Sequence, residues 1–158
     1  MSLSRIPPMS LARRRVVGGA AALVVVSVLP APTLAGELPA IPAMAGWLAG
    51  RVPVQDRVSL ELPRLADNGF AVPMRIVVAG PFAPGPHVRS IRLFSEANPV
   101  PEMAVFEFPA PTARVEVDSR IRLATTQSIV AVAQMSDGGL FATAAEVVVT
   151  LAGCMDGT

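Results

Sequence analysis

The chain has 158 residues, with 13 arginines and no lysine against 12 acids, a formal charge of +1, and 52% apolar residues. That near-neutral balance excludes the basic stripe that a nucleic-acid binder needs, and one His with one Cys cannot build a zinc site from soft ligands. A single thiol makes no internal disulfide, so apolar burial alone has to hold the fold.

The N-terminus reads as an export signal. Arg5, Arg13, Arg14 and Arg15 precede an unbroken apolar run, Val16 to Leu29, with no acid in either stretch. The run is too short to span a bilayer as a helix, which takes ~20 residues. It ends in Pro30 and Pro32, and Thr33-Leu34-Ala35 offers the small residues that a signal peptidase reads, so cleavage is expected after Ala35. Ala12-Arg13-Arg14-Arg15-Val16-Val17 resembles a twin-arginine pattern, with Val where Phe and Leu are usual; an ordinary secretory signal is the alternative. No Cys follows the run to take a lipid, so no membrane anchor is expected and the predicted location is the periplasm. Beyond residue 35, nine Arg face twelve acids, so the remainder is mildly acidic.

Residues 36–56 are rich in Pro, Ala and Gly and read as an N-terminal arm, in which Ala43 to Leu48 can form one helical turn that lays Trp47 on the body. Strand signals then recur at the spacing of an all-β sandwich. Arg57 to Leu62 alternates as RVSLEL, with Val58, Leu60 and Leu62 on one face. MRIVVA follows at 74–79, VRSIRLF at 88–94, MAVFEF at 103–108, RVEVDSRIRL at 114–123 and SIVAVAQM at 128–135. Leu140 to Leu151 closes the series, after a hairpin turn at Ser136-Asp137-Gly138-Gly139 whose glycines accept positive φ. About seven strands without a long amphipathic helix predict an all-β, immunoglobulin-like antiparallel β-sandwich over residues 57–151. The Cys pair and strand-C Trp of a true immunoglobulin domain are missing.

Residues 152–158, Ala152-Gly153-Cys154-Met155-Asp156-Gly157-Thr158, form a flexible C-terminal arm in this reading. A thiol on a terminal tail flanked by glycines is expected to be exposed. In an oxidising compartment such a thiol is either bonded to another molecule or used. Extended at ~3.3 Å per residue, the tail carries the sulfur roughly 10 Å beyond Leu151 and the terminus about 23 Å. That reach suits entry into another protein's channel. Its neighbouring charge is the acid Asp156, and the tail has no Lys or His to activate the sulfur, so a nucleophilic enzyme fits poorly. A dyad with His87, the only His, requires the tail to fold back onto the Pro/Gly loop at 80–87.

Several segments, in order, resemble the SoxY family, the carrier subunits of the bacterial sulfur-oxidation (Sox) system. They are Leu62-Pro63-Arg64-Leu65-Ala66-Asp67-Asn68-Gly69 with Val72-Pro73, Ala97-Asn98-Pro99-Val100-Pro101, Ser119 to Ala124, and Val130 to Ala133 running into Ser136-Asp137-Gly138. The resemblance spans about Arg57 to Cys154. It implies a periplasmic immunoglobulin-like sandwich paired with a SoxZ-like subunit, with the sulfur substrate held covalently on Cys154 and no cofactor. It also implies visits to a c-type cytochrome that couples thiosulfate to the thiol, a hydrolase that releases sulfate, and a sulfur dehydrogenase. The arm departs from the family's Gly-Gly-Cys-Gly-Gly: Ala152 and Gly153 precede the Cys, and Met155, Asp156 and Gly157 follow it. Met155 crowds a channel shaped for glycine, and Asp156 puts a negative charge beside an anionic cargo.

Three other readings compete. The sandwich can be a non-catalytic periplasmic interaction module whose Cys is no carrier site. Seven Met and the Cys154-Met155 pair raise soft-metal handling, but Met44, Met74, Met103 and Met135 are scattered and read as core filling. An enzyme in its own right lacks paired carboxylates or a triad; Glu102 and Glu107 read as solvated strand-edge charges. Arg120 and Arg122, alternating with Ile121 and Leu123, share one sheet face, either solvated or lining a partner interface.

Overall fold

Alternation of apolar and polar residues builds two sheets that bury one face each against the other. The computed structural model describes residues 37–80, 82 and 85–151. Among them are eight strands: β1 (Val58–Glu61), β2 (Leu65–Ala66), β3 (Val72–Val78), β4 (Val88–Ser95), β5 (Glu102–Glu107), β6 (Val115–Ile121), β7 (Gln127–Met135) and β8 (Leu140–Val149). One sheet has the order β1-β3-β6 and the other β2-β8-β7-β4-β5. Every pairing between these strands is antiparallel except β2 with β8, where Leu65 faces Val148 and Ala66 faces Val149 in parallel. The expected antiparallel sandwich is therefore present, with β2 as an addition that the sequence reading left out.

β3 shows how pattern becomes layer. Val72, Met74, Ile76 and Val78 are buried, while Pro73 is exposed and Arg75 and Val77 are half-buried. They meet Ile91 and Leu93 of β4 and Ile129, Ala131 and Ala133 of β7 in a single core. Truncating one of these fully buried aliphatics to Ala costs about 2–5 kcal/mol, a large share of the roughly 5–15 kcal/mol that holds a domain together.

β4 and β7 do not alternate in burial, because their outer face is covered too. Helix α1 (Pro42–Leu48) lies there, started by proline at its first turn and ended by Ala49 in the left-handed conformation. Ile41, Met44 and Leu48 repeat at helical spacing and pack on Phe94, Val130, Val132, Leu140 and Ala142. Trp47 sits half-buried beside Phe94, ring centroids 6.0 Å apart, with the guanidinium groups of Arg92 and Arg51 5.0 Å and 5.4 Å from the ring centroid. The region read as an arm thus supplies a second apolar layer.

The β7–β8 hairpin closes as its sequence demands. Gly138 has φ of 90°, and the Asp137 carboxylate accepts the N–H of Gly139. Met74 and Met135 lie in the core between the sheets and Met44 under the helix, with Met103 packed half-buried against the first core. Glu102 corrects the sequence reading: it is paired with Arg92 on the neighbouring strand at 2.5 Å and is not simply solvated. Glu107 is exposed, as are Arg120 and Arg122 around the buried Ile121. No helix among the described residues is long and apolar enough to cross a membrane.

Candidate functional site

Cys154 and its neighbours Ala152, Gly153, Met155, Asp156 and Gly157 lie outside the described residues, as does the expected export signal at 1–35. What the structure describes is the end of the sandwich up to Leu151. β8 lies between β7 and β2, and its last residues are tied to the 64–69 segment on the β2 side. The N–H of Val148 donates to the Arg64 carbonyl at 2.9 Å, and that of Thr150 to the Ala66 carbonyl at 3.1 Å. The Thr150 hydroxyl donates to the Asp67 carbonyl at 3.0 Å. The Gly69 N–H then donates to the carbonyl of Leu151 at 2.8 Å. On the other side, the N–H of Val149 donates to the Thr126 hydroxyl at 2.9 Å.

The segment that makes these bonds is itself held. Asn68 folds its side-chain oxygen onto the Phe70 N–H at 2.8 Å, a local turn that asparagine favours. The Gly69 carbonyl accepts from the N–H of Leu123, just beyond β6. A few residues further on, Asn98 of the Asn-Pro-Val-Pro loop joins the β4–β5 connection to the same region. Its amide donates to the Arg122 carbonyl at 2.8 Å, and its oxygen accepts from the Ala124 N–H at 2.9 Å and from the Gln127 amide at 2.8 Å. Gln127, 4% exposed, in turn accepts from the Ala97 N–H. Three of the segments singled out by resemblance therefore converge on one end of the sandwich, the end at which Leu151 lies.

His87 lies at the opposite end. Its N–H donates to the Ser136 hydroxyl and its carbonyl accepts the Ser136 N–H, beside the β7–β8 hairpin. β8 separates it from Leu151 by roughly 30 Å of extended strand, three times the ~10 Å that three further residues can cover. A Cys154–His87 dyad within one chain would need a longer connection from Leu151 than three residues provide.

Among the described residues no group of three His, Cys, Asp or Glu could hold a metal ion. Among the described residues, an open groove of about 850 Å³ lies between β1 and β8, lined by Arg57, Arg64, Asp56 and Glu146 with small residues such as Ala142 and Ala144 between them. All four charged residues are exposed. What the sequence reading missed is the fastening of residues 148–151 to the 64–69 segment, because the partners lie some 80 positions apart and no local pattern joins them.

Comparison with known proteins identifies the family. The family model described as "Sulfur oxidation protein SoxY" matches residues 45–154, ending on the chain's sole cysteine. The sulfur carrier protein SoxY from Chlorobium limicola f thiosulfatophilum is 32% identical; the match covers 69% of this chain and 94% of that one, with a TM-score of 0.55. A superoxide reductase from Nanoarchaeum equitans, 17% identical, matches at a TM-score of 0.50 over 61% of this chain and all of that one, a likeness of fold alone. None of the curated proteins matches by sequence. The family match covers most of the chain, and the chain belongs to the SoxY family of sulfur oxidation proteins.

Proposed function

We propose that the protein is a periplasmic, non-enzymatic carrier that holds sulfur intermediates covalently on Cys154 and presents them to the other proteins of the Sox system. The observation that carries this reading is the family match running without a break through the sandwich to Cys154. The fastened arm root supports it, because a carrier needs a fixed base and a free end.

The chemistry follows from the thiol. A c-type cytochrome takes two electrons as thiosulfate joins the sulfur, RSH + S2O3²⁻ giving RS–S–SO3⁻, one proton and two electrons. A hydrolase adds water across the terminal S–S bond, releasing sulfate and a proton and leaving the persulfide RS–SH. A sulfur dehydrogenase then oxidises the remaining sulfane. The bases and electron acceptors belong to these enzymes, so the tail needs no activating group of its own. A SoxZ-like subunit completes the carrier, and the Arg13-Arg14 pair suits export of the pair in the folded state.

The test is the intact mass of the protein purified from periplasm without reductant. Species about 112 Da heavier, or spaced by ~32 Da, that disappear with dithiothreitol and in Cys154→Ser are the expected result, since both adducts exchange with thiols. A clean thiol, or only a symmetric disulfide dimer, under growth on thiosulfate overturns the carrier reading. The protein is then a sandwich-shaped interaction subunit.

A further inference from the structure

The chain has two asparagines, and the residues that follow them differ in one chemical respect. Asn98 precedes Pro99, which has no N–H. Asn68 precedes Gly69, whose N–H has no side chain beside it to hinder an attack on the asparagine amide. The backbone nitrogen after an asparagine closes on its Cγ when it loses its proton, and ammonia is expelled. In the folded protein that nitrogen is held in check. Asn68 is exposed, and its Oδ1 accepts the Phe70 N–H at 2.8 Å. Gly69 is buried, and its N–H donates to the carbonyl of Leu151 at 2.8 Å, which engages the proton that has to leave. Thr150 keeps the two segments together through its bonds to the Ala66 and Asp67 carbonyls.

We infer that Asn68-Gly69 is a self-modification site whose rate is set by how often the Gly69–Leu151 bond opens, and whose isoaspartyl product keeps that bond from closing again. The step needs no co-reactant but water. The Gly69 nitrogen gives up its proton and bonds to Asn68 Cγ, the Cγ–Nδ2 bond breaks, and ammonia leaves with that proton. Water then opens the cyclic imide. Attack at Cγ gives aspartate; attack at the backbone carbonyl gives isoaspartate, in which the main chain runs through the side chain and gains one atom. That added length carries the Gly69 N–H and carbonyl out of register with their partners, the Leu151 carbonyl and the Leu123 N–H. Either product also sets a carboxylate beside that of Asp67. Opening of a few bonds at the end of a strand costs less than unfolding the sheet, so the folded protein reaches the reactive state locally. The inference stands apart from the carrier reading, because it concerns the segment that precedes Cys154 whatever that thiol holds.

The experiment follows the mass of the full mature chain in alkaline buffer, with peptide mapping to place and type the product. The expected gain is that of one amide turned to an acid, at Asn68 and not at Asn98, with isoaspartate among the products. Asn68→Ser is expected to gain nothing. The chain unfolded in urea is expected to convert faster than the folded one. Thr150→Val is expected to convert about two- to tenfold faster than wild type when folded, the factor that one net hydrogen bond is worth, and at the wild-type rate in urea. In wild type, the rate across sub-denaturing urea is expected to rise in step with amide exchange at Gly69. In the isolated isoaspartyl protein, amides 148–151 are expected to exchange faster while β4 and β7 keep their protection. Conversion as fast in the folded chain as in urea removes the check by Leu151. An Asn68 that stays intact in folded wild type and folded Thr150→Val removes the site. Unchanged protection of 148–151 in the isoaspartyl protein removes the effect of the product. Any one of these overturns the inference, and none of them bears on whether Cys154 carries sulfur.

Discussion

The backbone N–H of Gly69 donates to the carbonyl of Leu151 at 2.8 Å, joining two residues 82 positions apart just beyond the end of β8. Thr150, next to Leu151, adds a side-chain bond to the Asp67 carbonyl at 3.0 Å. Thr150→Val keeps the shape and removes that donor. The expected cost is about 0.5–1.5 kcal/mol, the usual net worth of one hydrogen bond. Amide exchange at residues 148–151 is expected to quicken while the β4 and β7 amides keep their protection. Equal protection in the two proteins would show that the hydroxyl does not hold the root.

Asn98 makes three hydrogen bonds that close the other side of the same end. Asn98→Ala loses all three, and Gln127, almost fully buried, keeps only its links to Ala97 and Thr125. A loss of about 2–3 kcal/mol is expected, because a buried amide left partly unpaired adds to the missing bonds. Asn98→Asp retains the acceptor oxygen and is expected to fall between wild type and Ala. Urea unfolding followed by far-ultraviolet circular dichroism gives all three values, and an Asp variant no better than Ala would contradict the acceptor role.

The strands were legible because their period is local: RVSLEL, MRIVVA and RVEVDSRIRL each announce which side faces the core. β2 was not, since Leu65-Ala66 is two residues long and exists as a strand only through its parallel bonds to Val148 and Val149. The Arg92–Glu102 pair stayed hidden because the pairing depends on which strands become neighbours. The second core layer was readable in principle. Ile41, Met44 and Leu48 stand at i, i+3 and i+7, and SIVAVAQM is too uniformly apolar for a strand with one wet face. The end that holds the arm could not be read as a unit, because its members come from the 64–70, 97–101, 122–127 and 148–151 segments.

Trp47 is the chain's only tryptophan, so its fluorescence reports on the docking of α1 alone. Met44, 5% exposed, is one of the three residues by which the helix makes that contact. Met44→Ala is expected to cost about 2–4 kcal/mol and to let the helix detach before the sheets melt. Trp47 emission should then shift red at a lower urea concentration than the loss of β-structure. In wild type the two transitions are expected to coincide. Coincident transitions in the variant as well would mean that the helix and the sandwich form a single cooperative unit.

Asp156 is the remaining departure with a computable consequence. Two residues of chain keep the two backbones within about 7 Å of each other, a separation at which each unit of like charge costs ~0.6 kcal/mol in water. Thiosulfate carries two negative charges, so the acid opposes its approach by about 1 kcal/mol, or roughly fivefold in rate at low salt. Asp156→Asn is therefore expected to raise the low-salt rate of thiosulfate coupling to Cys154 by about that factor. The advantage should shrink well below twofold by 0.5 M sodium chloride, where the screening length falls to about 4 Å. Met155→Gly acts through space instead of charge, so any gain it gives is expected to be independent of salt. Coupling rates for the two single variants across a salt series separate these effects. A salt-independent gain in Asp156→Asn would assign the obstruction to the size of the side chain and remove the electrostatic argument.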